Sequence, residues 1–211
     1  MASNNTMPRT LIPVYDYSVL WFSNTFVWCC PTSNLLNWYN THITSKHLDV
    51  GPGSGYFLEH CIFPIERPTV TLLDLNITNL TRAANRIADY NPQIYVADIR
   101  QSVPLTHPVD SVVLNYVLHV VPRALKEKGD RIFTHIREAL STNGIVFGST
   151  ILGREVSHNW LARRFLSFYN DKGIFYNRDD TPVDLEQSLR SHFQSYSIRI
   201  VGSVALFVGQ V

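Results

Sequence analysis

The sequence lacks a strong charge of either sign, a long uninterrupted hydrophobic run and a cysteine framework. Its 211 residues carry 18 Lys and Arg against 17 Asp and Glu, which gives a formal net charge of +1. The densest basic stretch, Arg123 to Arg131, also contains Glu127 and Asp130. Because no stretch is committed to a polyanion, we do not expect nucleic acid to be the main ligand.

The small number of cysteines and the lack of a signal-like N-terminal segment indicate the compartment in which the protein is found. The cysteines Cys29, Cys30 and Cys61 are odd in number and lack metal-ligand spacing, which predicts free thiols in a reducing compartment. The N-terminus has no basic segment followed by an apolar run, and polar residues interrupt the apolar stretch from Tyr17 to Cys30. We therefore expect a cytoplasmic protein with no membrane partner.

From Lys46 onward, short apolar runs alternate with helical patterns. The predicted strands are KHLDV, TVTLLDL, QIYVAD, VDSVVLNYV and GIVFGSTIL. Helical spacing recurs from Ile77 to Ala88 and from Ile132 to Leu140, and Asn143–Gly144 is expected to end the second helix. Strands that alternate with helices predict a parallel sheet covered on both faces.

The end of the chain breaks this alternation. Thr181, Pro182 and Asp184 form the pattern of a capped helix start. The apolar runs YSIRIV and VALFVGQV then follow with only Gly202 and Ser203 between them, which permits only an antiparallel hairpin. We therefore predict a Rossmann-like α/β fold whose mostly parallel seven-stranded sheet ends in an antiparallel hairpin.

Two aromatic-rich segments lie outside this alternation. The stretch around Tyr15 to Trp28 and Pro31 predicts two short helices, and a second apolar stripe runs from His158 to Tyr169. Ligands of α/β sheets bind beyond the carboxyl ends of the strands, so both segments are placed to cover that edge. We predict that residues 1–45 form an N-terminal helical lid of the same domain and that residues 46–211 form the α/β domain.

The stretch HLDVGPGSGYF carries three glycines directly after the first predicted strand. A phosphate-binding P-loop requires a lysine after its glycines, and none follows here. The dinucleotide fingerprint requires G-x-G-x-x-G, but Gly51, Gly53 and Gly55 form G-x-G-x-G and Tyr56 holds the third-glycine position. The loop therefore predicts close approach of a ligand other than a dinucleotide.

Carboxylates follow the next two predicted strands. Asp74 ends the second strand, where it can accept hydrogen bonds from ribose hydroxyls, and Asp98 ends the third beside the apolar Ile99. Two carboxylates would repel a diphosphate, whereas they suit a cationic nucleoside.

Together these features resemble the class I S-adenosylmethionine-dependent methyltransferases. Asp49 with the three glycines resembles the first motif of that family, Asp74 the acid of the second, and Asp98–Ile99 the adenine-contacting pair. DSVVLNYVLHVVP resembles the fourth motif, and the closing hairpin is typical of the family. The aromatic N-terminal segment and GIFYNRDDTP resemble, more loosely, small methyltransferases of fungal secondary metabolism.

The resemblance implies S-adenosylmethionine as the cofactor. The glycine turn would lie against its methionine part, and Asp49 near its amino group. Asp74 would hold the ribose, Asp98 would reach the adenine, and Asn115 would lie nearest the sulfonium. The expected cofactor-binding residues are Asp49, Gly51, Gly53, Gly55, Asp74, Leu75, Asp98, Ile99 and Asn115, and no metal is expected.

Methyl transfer is an in-line displacement that needs a base only when the acceptor must lose a proton. His119, four residues after Asn115, is the candidate base, and Tyr116 is the second candidate. NYVL lacks the paired prolines of methyltransferases that act on nucleic-acid bases. Low charge and many aromatics predict a small, largely apolar metabolite as the substrate, with oxygen, nitrogen, carbon and sulfur acceptors all left open.

Two rival functions remain at this point. The fold can bind the cofactor and catalyse a cyclisation or rearrangement in which the sulfonium serves as a fixed charge. Alternatively, the chain is a non-catalytic partner that activates another methyltransferase, although Asp49, Asp74 and the glycines argue against this reading. A homodimer is an assembly that the sequence leaves open.

Overall fold

The computed structural model of the protein describes residues 16–101 and 103–211. The first fifteen residues of the predicted lid segment therefore lie outside the described residues. Within the described part, seven strands form one sheet: β1 Lys46–Val50, β2 Thr69–Asp74, β3 Gln93–Val96, β4 Val109–Asn115, β5 Leu140–Ile151, β6 Ser195–Val201 and β7 Val204–Gln210. The helices are α1 Asp16–Val27, α2 Thr32–His42, α3 Tyr56–His60, α4 Ile77–Arg86, α5 Leu125–Ala139, α6 Trp160–Asp171 and α7 Pro182–His192.

The sheet has the predicted topology. Its strand order is β3-β2-β1-β4-β5-β7-β6, with parallel pairing from β3 to β5. β7 runs antiparallel to both β5 and β6. The prediction of a Rossmann-like, mostly parallel seven-stranded sheet that ends in an antiparallel hairpin is thus confirmed. The strand order reverses between β1 and β4, and ligands of such sheets bind beyond the carboxyl ends of the strands at this point.

The central strands are apolar along their length because helices cover both of their faces. Leu48, Leu72 and Leu114, one from each of three adjacent strands, are fully buried. The hairpin turn requires glycine for a different reason. Gly202 has φ +59°, and a Cβ there would stand 2.3 Å from the carbonyl oxygen of Trp28. The hairpin therefore packs closely against the chain that leaves α1.

Polar side chains begin two of the helices. Thr181 accepts a hydrogen bond from the Asp184 backbone N–H at 3.1 Å, and Pro182 follows it as the first residue of α7, which confirms that predicted helix start. Asn76 caps α4 in the same way by accepting from the Thr78 N–H at 2.9 Å. Its position also fixes the chain directly after Asp74.

One predicted boundary is wrong. Asn143–Gly144 was expected to end the helix now seen as α5, but α5 ends at Ala139 and β5 begins at Leu140. The register of β5 against β4 shifts between Leu140 and Ile145. Asn143 has φ +65°. Its left-handed conformation belongs to an irregularity within β5 and not to a helix end. Asn-Gly pairs occur both at helix ends and at strand irregularities, so the pair alone did not distinguish the two.

The two aromatic-rich segments fold as helices over one end of the sheet. α1, which has the wide hydrogen bonding of a π-helix, and α2 lie on either side of Pro31 as predicted, and α6 follows β5. They share an apolar cluster with β5 and β7. Its buried members are Val27, Trp28, Cys30, Leu35, Ile151, Ala162, Leu166, Val204 and Leu206.

The cysteines are free thiols, as predicted. Burial raises the pKa of both Cys30 and Cys61 to about 12, so these two thiols stay protonated. Among the described residues, His, Cys, Asp and Glu side chains form no cluster of three or more that could hold a metal ion. No helix in the same part of the chain combines the length and apolarity needed to cross a membrane.

Candidate active site

A cavity of about 420 Å³ lies beyond the carboxyl ends of β1 and β4, within the size range of small-molecule sites. One part of its wall is the loop after β1. A second part is the chain after β4, and a third is formed by α1 and residues 169–175. Six of the predicted site residues line it: Asp49, Gly51, Gly53, Asn115, Tyr116 and His119.

The loop after β1 turns through three left-handed residues. The φ angles are +68° at Gly51, +58° at Gly53 and +79° at Gly55, a conformation that side chains disfavour. Apart from Gly53 and its two chain neighbours, no described residue has an atom within 4 Å of the place where a Cβ of Gly53 would stand, which leaves space beside that backbone. At Gly55 a Cβ would stand 3.0 Å from the Cα of Ala83, so this glycine lets α4 pack against the loop.

Asp49 lies at the floor of the cavity and is almost completely buried. Tyr39 of α2 donates a hydrogen bond from its hydroxyl to Oδ2 of Asp49 at 2.7 Å. Burial raises the pKa of Asp49 to about 7, and the hydrogen bond from Tyr39 opposes that rise. No Lys or Arg in the described part of the chain forms an ion pair with Asp49. Among the described residues, the buried carboxylate of Asp49 therefore has a hydroxyl donor but no cationic partner.

Asp74 ends β2 outside the described lining of the cavity. Its Oδ1 accepts a hydrogen bond from the Asn76 backbone N–H at 2.8 Å, and its Oδ2 accepts a long one of 3.4 Å from Asn79 Nδ2. The Leu75 backbone N–H also supports this carboxyl group. Burial raises the pKa of this carboxyl group. Leu75 beside it is 64% exposed. A carboxylate with one little-used oxygen next to an exposed apolar side chain suits a ligand with a hydroxyl and a flat ring.

Asp98 and Ile99, predicted to contact the adenine, are engaged by other groups of the protein. Both oxygens of Asp98 accept hydrogen bonds from Arg100, the shortest from Nη2 at 2.7 Å. This hydrogen-bonded pairing lowers the pKa of Asp98. Ile99 is buried within the main apolar core. Neither residue lines the cavity, so an adenine contact from Asp98 would have to share its oxygens with Arg100.

The chain leaves β4 through a strained residue. Tyr116 has φ +60°, and its N–H donates to the carbonyl oxygen of Ser149 at 2.9 Å. Ser149 Oγ donates to Oδ1 of Asn115, which fixes that side chain at the cavity wall. The hydroxyl of Tyr116 donates to Oδ1 of Asn24 in α1 at 3.0 Å, and burial raises its pKa well above the ordinary value. Tyr116 thus joins β4 to the cover of the cavity and keeps its proton.

His119 is buried in the short turn after Tyr116 and lines the cavity. Burial, reinforced by the Lys128 ammonium, lowers its pKa to about 3. At neutral pH the imidazole of His119 is therefore uncharged. The Ile151 N–H donates to Nδ1 at 3.4 Å, so the proton of the neutral ring resides on Nε2. The ring is edge-on to Phe175 at 4.5 Å between centroids.

Sequence reasoning missed part of the aromatic wall. Ile174 and Phe175 line the cavity from the loop between α6 and α7. The ring of Phe175 lies 4.7 Å from Tyr169 and 6.0 Å from Trp28, measured between centroids. The residues GIFYN were noted only for their loose family resemblance. Their apolar character inside an otherwise polar connection was the available signal.

A buried ion pair anchors that loop. Nζ of Lys128 lies 2.8 Å from Oδ2 of Asp180, and both side chains are almost completely buried. The same ammonium donates to the carbonyl oxygen of Tyr176 at 2.9 Å. Oδ1 of Asp180 accepts from the Leu125 N–H at 3.0 Å, at the start of α5. The pair therefore ties the chain next to Phe175 to α5.

Comparisons with known proteins agree with the fold and the motifs. A family model described as a methyltransferase domain matches residues 48–146. Methyltransferase ctvB of Aspergillus terreus is 37% identical over 203 residues, which cover 92% of this chain and 87% of the relative. Demethylluteothin O-methyltransferase of Streptomyces thioluteus is 30% identical over 200 residues, which cover 94% of this chain and 86% of the relative.

A solved structure gives the same result at the level of the fold. The structure of the DhpI–SAH complex superposes with a TM-score of 0.68 and covers 96% of this chain and 92% of its own. The two sequences are only 18% identical, so the likeness concerns the fold alone.

Proposed function

This chain belongs to the class I methyltransferase family, and from that premise we propose that it transfers a methyl group from S-adenosylmethionine to a small, largely apolar metabolite of secondary metabolism. The observation that carries the proposal is the cavity at the strand-order reversal. It joins the glycine loop and Asp49 on one side to an aromatic wall on the other.

The residues of one side fit the cofactor, and we call Asp49, Gly51 and Gly53 of the cavity, together with Asp74 at the end of the neighbouring β2, the cofactor half. S-adenosylmethionine carries an ammonium and a sulfonium, and in the described part of the chain no cation neutralises the buried carboxylate of Asp49. The open backbone at Gly53 leaves room for the methionine part, and Oδ2 of Asp74 is available to a ribose hydroxyl. When bound, the cofactor supplies an electrophilic methyl group on a good leaving group.

The other side suits an uncharged acceptor, and we call Trp28, Tyr116, His119, Tyr169 and Phe175 the acceptor half. The described lining of the cavity contains no Lys or Arg that could pair with an anionic substrate. The aromatic rings offer flat apolar surface and exclude water from the methyl-transfer region. This composition supports a small, largely apolar metabolite.

We propose that His119 contacts the acceptor, with Tyr116 as the second candidate. A pKa of about 3 makes His119 a poor base at neutral pH, whereas its Nε2–H is a hydrogen-bond donor. Tyr116 keeps its proton and directs it at Asn24. These features support a positioning role for His119 instead of the proton abstraction that its place in the sequence suggested. They also support an acceptor that loses its proton with little help from the protein.

The proposal is tested by isothermal calorimetry with S-adenosylmethionine and S-adenosylhomocysteine, followed by assays of candidate metabolites for release of S-adenosylhomocysteine. We expect both ligands to bind and an aromatic hydroxyl compound, whose proton is readily lost, to be methylated. Conversion of a substrate without release of S-adenosylhomocysteine would point to the cyclisation alternative. Absence of binding to either ligand would end the proposal.

A further inference from the structure

A chain of buried hydrogen bonds runs along β1 to the floor of the cavity. From the far end, Oγ of Ser111 in β4 lies 2.7 Å from Oγ1 of Thr44 and 2.8 Å from Nδ1 of His47. Nε2 of His47 lies 3.1 Å from the hydroxyl oxygen of Tyr39, which lies 2.7 Å from Oδ2 of Asp49. The side chains of His47, Ser111, Tyr39 and Asp49 are all buried.

The ionised state of Asp49 sets the direction of every bond in this chain. A carboxylate only accepts, so the single hydroxyl proton of Tyr39 must point to Asp49. The oxygen of Tyr39 then accepts from His47, which places the imidazole proton on Nε2. Nδ1 of His47 is left to accept from the hydroxyl of Ser111. In the alternative tautomer the proton lies on Nδ1, so Nε2 would accept the hydroxyl proton of Tyr39. Asp49 would then have no hydrogen bond from Tyr39.

We propose that Tyr39, His47 and Ser111 are positioning residues of the cofactor half, whose hydrogen bonds all point towards Asp49 and hold its carboxylate ionised and oriented for the positive end of the cofactor. The inference rests on the proposed function in one respect, the identity of the ligand at Asp49. The direction of the hydrogen bonds among Ser111, His47, Tyr39 and Asp49 does not depend on that ligand. Bonds that point in one direction polarise one another, which strengthens the last of them.

The charges around Asp49 show why such support is needed. Tyr39 faces it from α2, His47 from its own strand, Cys61 from the end of α3 and Asp74 from β2. None of these groups is cationic near neutrality: burial lowers the pKa of His47 to about 3 and raises that of Cys61 to about 12. Burial raises the pKa of Asp49 to about 7, the bond from Tyr39 lowers it and Asp74 raises it. The hydrogen-bond chain is therefore the support available to the ionised form.

The sign of the pH effect follows from this arrangement. A protonated Asp49 cannot pair with a cation, so affinity for the cofactor should fall as the pH drops through the pKa of Asp49. Loss of the Tyr39 hydroxyl removes the contribution that lowers this pKa. The fall in affinity should then begin at a higher pH than in the unmodified protein.

The first test needs neither turnover nor ligand. Nitrogen-15 NMR of the cofactor-free protein at about pH 8 distinguishes the two imidazole tautomers, and a His47→Gln variant assigns the signal among the eight histidines. We expect His47 to carry its proton on Nε2. A proton on Nδ1 would reverse the chain and overturn the proposal. This result stands even if the protein does not bind S-adenosylhomocysteine, in which case the proposed function fails by itself.

The second test measures calorimetric affinity for S-adenosylhomocysteine from about pH 6 to about pH 8. Tyr39→Phe should weaken binding about tenfold at neutral pH and less at the alkaline end. Tyr90→Phe is the matched control. Tyr90 packs against the same apolar cluster as Tyr39 but takes no part in the hydrogen bonds that lead to Asp49. Ser111→Ala, at the far end, should shift the pH dependence in the same direction by a smaller amount and serves if Tyr39→Phe does not fold. An equal loss at every pH, or no loss in either variant, would show that the chain does not position Asp49.

Discussion

The two halves of the cavity are built in different ways. The cofactor half comes from main chain and short side chains at the ends of adjacent parallel strands, held by left-handed glycines and a buried hydrogen-bond chain. The acceptor half comes from rings contributed by α1, the turn after β4, α6 and the loop that follows α6. The first is therefore set by backbone geometry, whereas the second depends on contacts between segments that are far apart in sequence. Substitutions should separate the two halves if this difference is real.

The largest effect is expected where the acceptor half is anchored. Asp180→Ala leaves the buried ammonium of Lys128 without its partner and should lower the free energy of unfolding by about 3–5 kcal/mol. Chemical denaturation measures this directly. A double variant, Lys128→Met with Asp180→Leu, removes both charges together and should recover most of the stability. If the single variant is as stable as the unmodified protein, the pair does not anchor the loop.

The next effect should be confined to the cofactor half. Asp74→Ala removes an acceptor for the ribose and should weaken binding of S-adenosylhomocysteine about tenfold to about a hundredfold, or about 1.5–3 kcal/mol. NAD should bind to neither protein appreciably. Asp89→Ala, which removes an exposed carboxylate from the turn after α4, is the control for the loss of one negative charge. Unchanged affinity in the Asp74 variant would remove this residue from the site.

The same difference explains how far the sequence could be interpreted. The positions of Gly51, Gly53 and Asp49 beside the cavity were predictable from the sequence. Strand ends and left-handed turns restrict the residue types that fit there. Phe175 was not, because an aromatic in a long connection has no spacing rule that indicates what it faces. The partners Tyr39 and Ser111 were also missed. Each lies in an ordinary helix or strand, and only the sheet register brings Ser111 opposite His47.

A smaller effect should separate catalysis from binding in the acceptor half. His119→Ala should lower kcat about tenfold, because one neutral hydrogen-bond donor to the acceptor is lost, and should leave the affinity for S-adenosylhomocysteine nearly unchanged. His119→Gln keeps a donor and should recover most of the turnover, while His135→Ala on α5 is the control. With its pKa near 3, His119 should give kcat no inflection near pH 6.5. Equal losses in the Ala and Gln variants, with such an inflection in the unmodified protein, would restore the role of base.

The smallest expected effect concerns the link between the two halves. Tyr116→Phe removes the donor to Asn24, a residue only 1% exposed, and should cost about 0.5–1.5 kcal/mol of local stability. Asn24 also joins α1 to α2 through its bond to Thr32 at 3.0 Å, so the loss should be felt first in α1.

Amide hydrogen exchange measures this loss segment by segment. In the Tyr116→Phe variant, amide exchange should become severalfold faster in residues 20–27 of α1. Helix α7 lies outside the described cavity wall and provides the internal reference. If α1 covers the cavity as a lid, S-adenosylhomocysteine should slow its exchange in the unmodified protein and less so in the variant. The amides of Gly53 and Gly55 should keep their rates in the variant, since backbone geometry sets that loop. Equal acceleration there would mean that Tyr116 supports both halves and that the cavity opens as one unit.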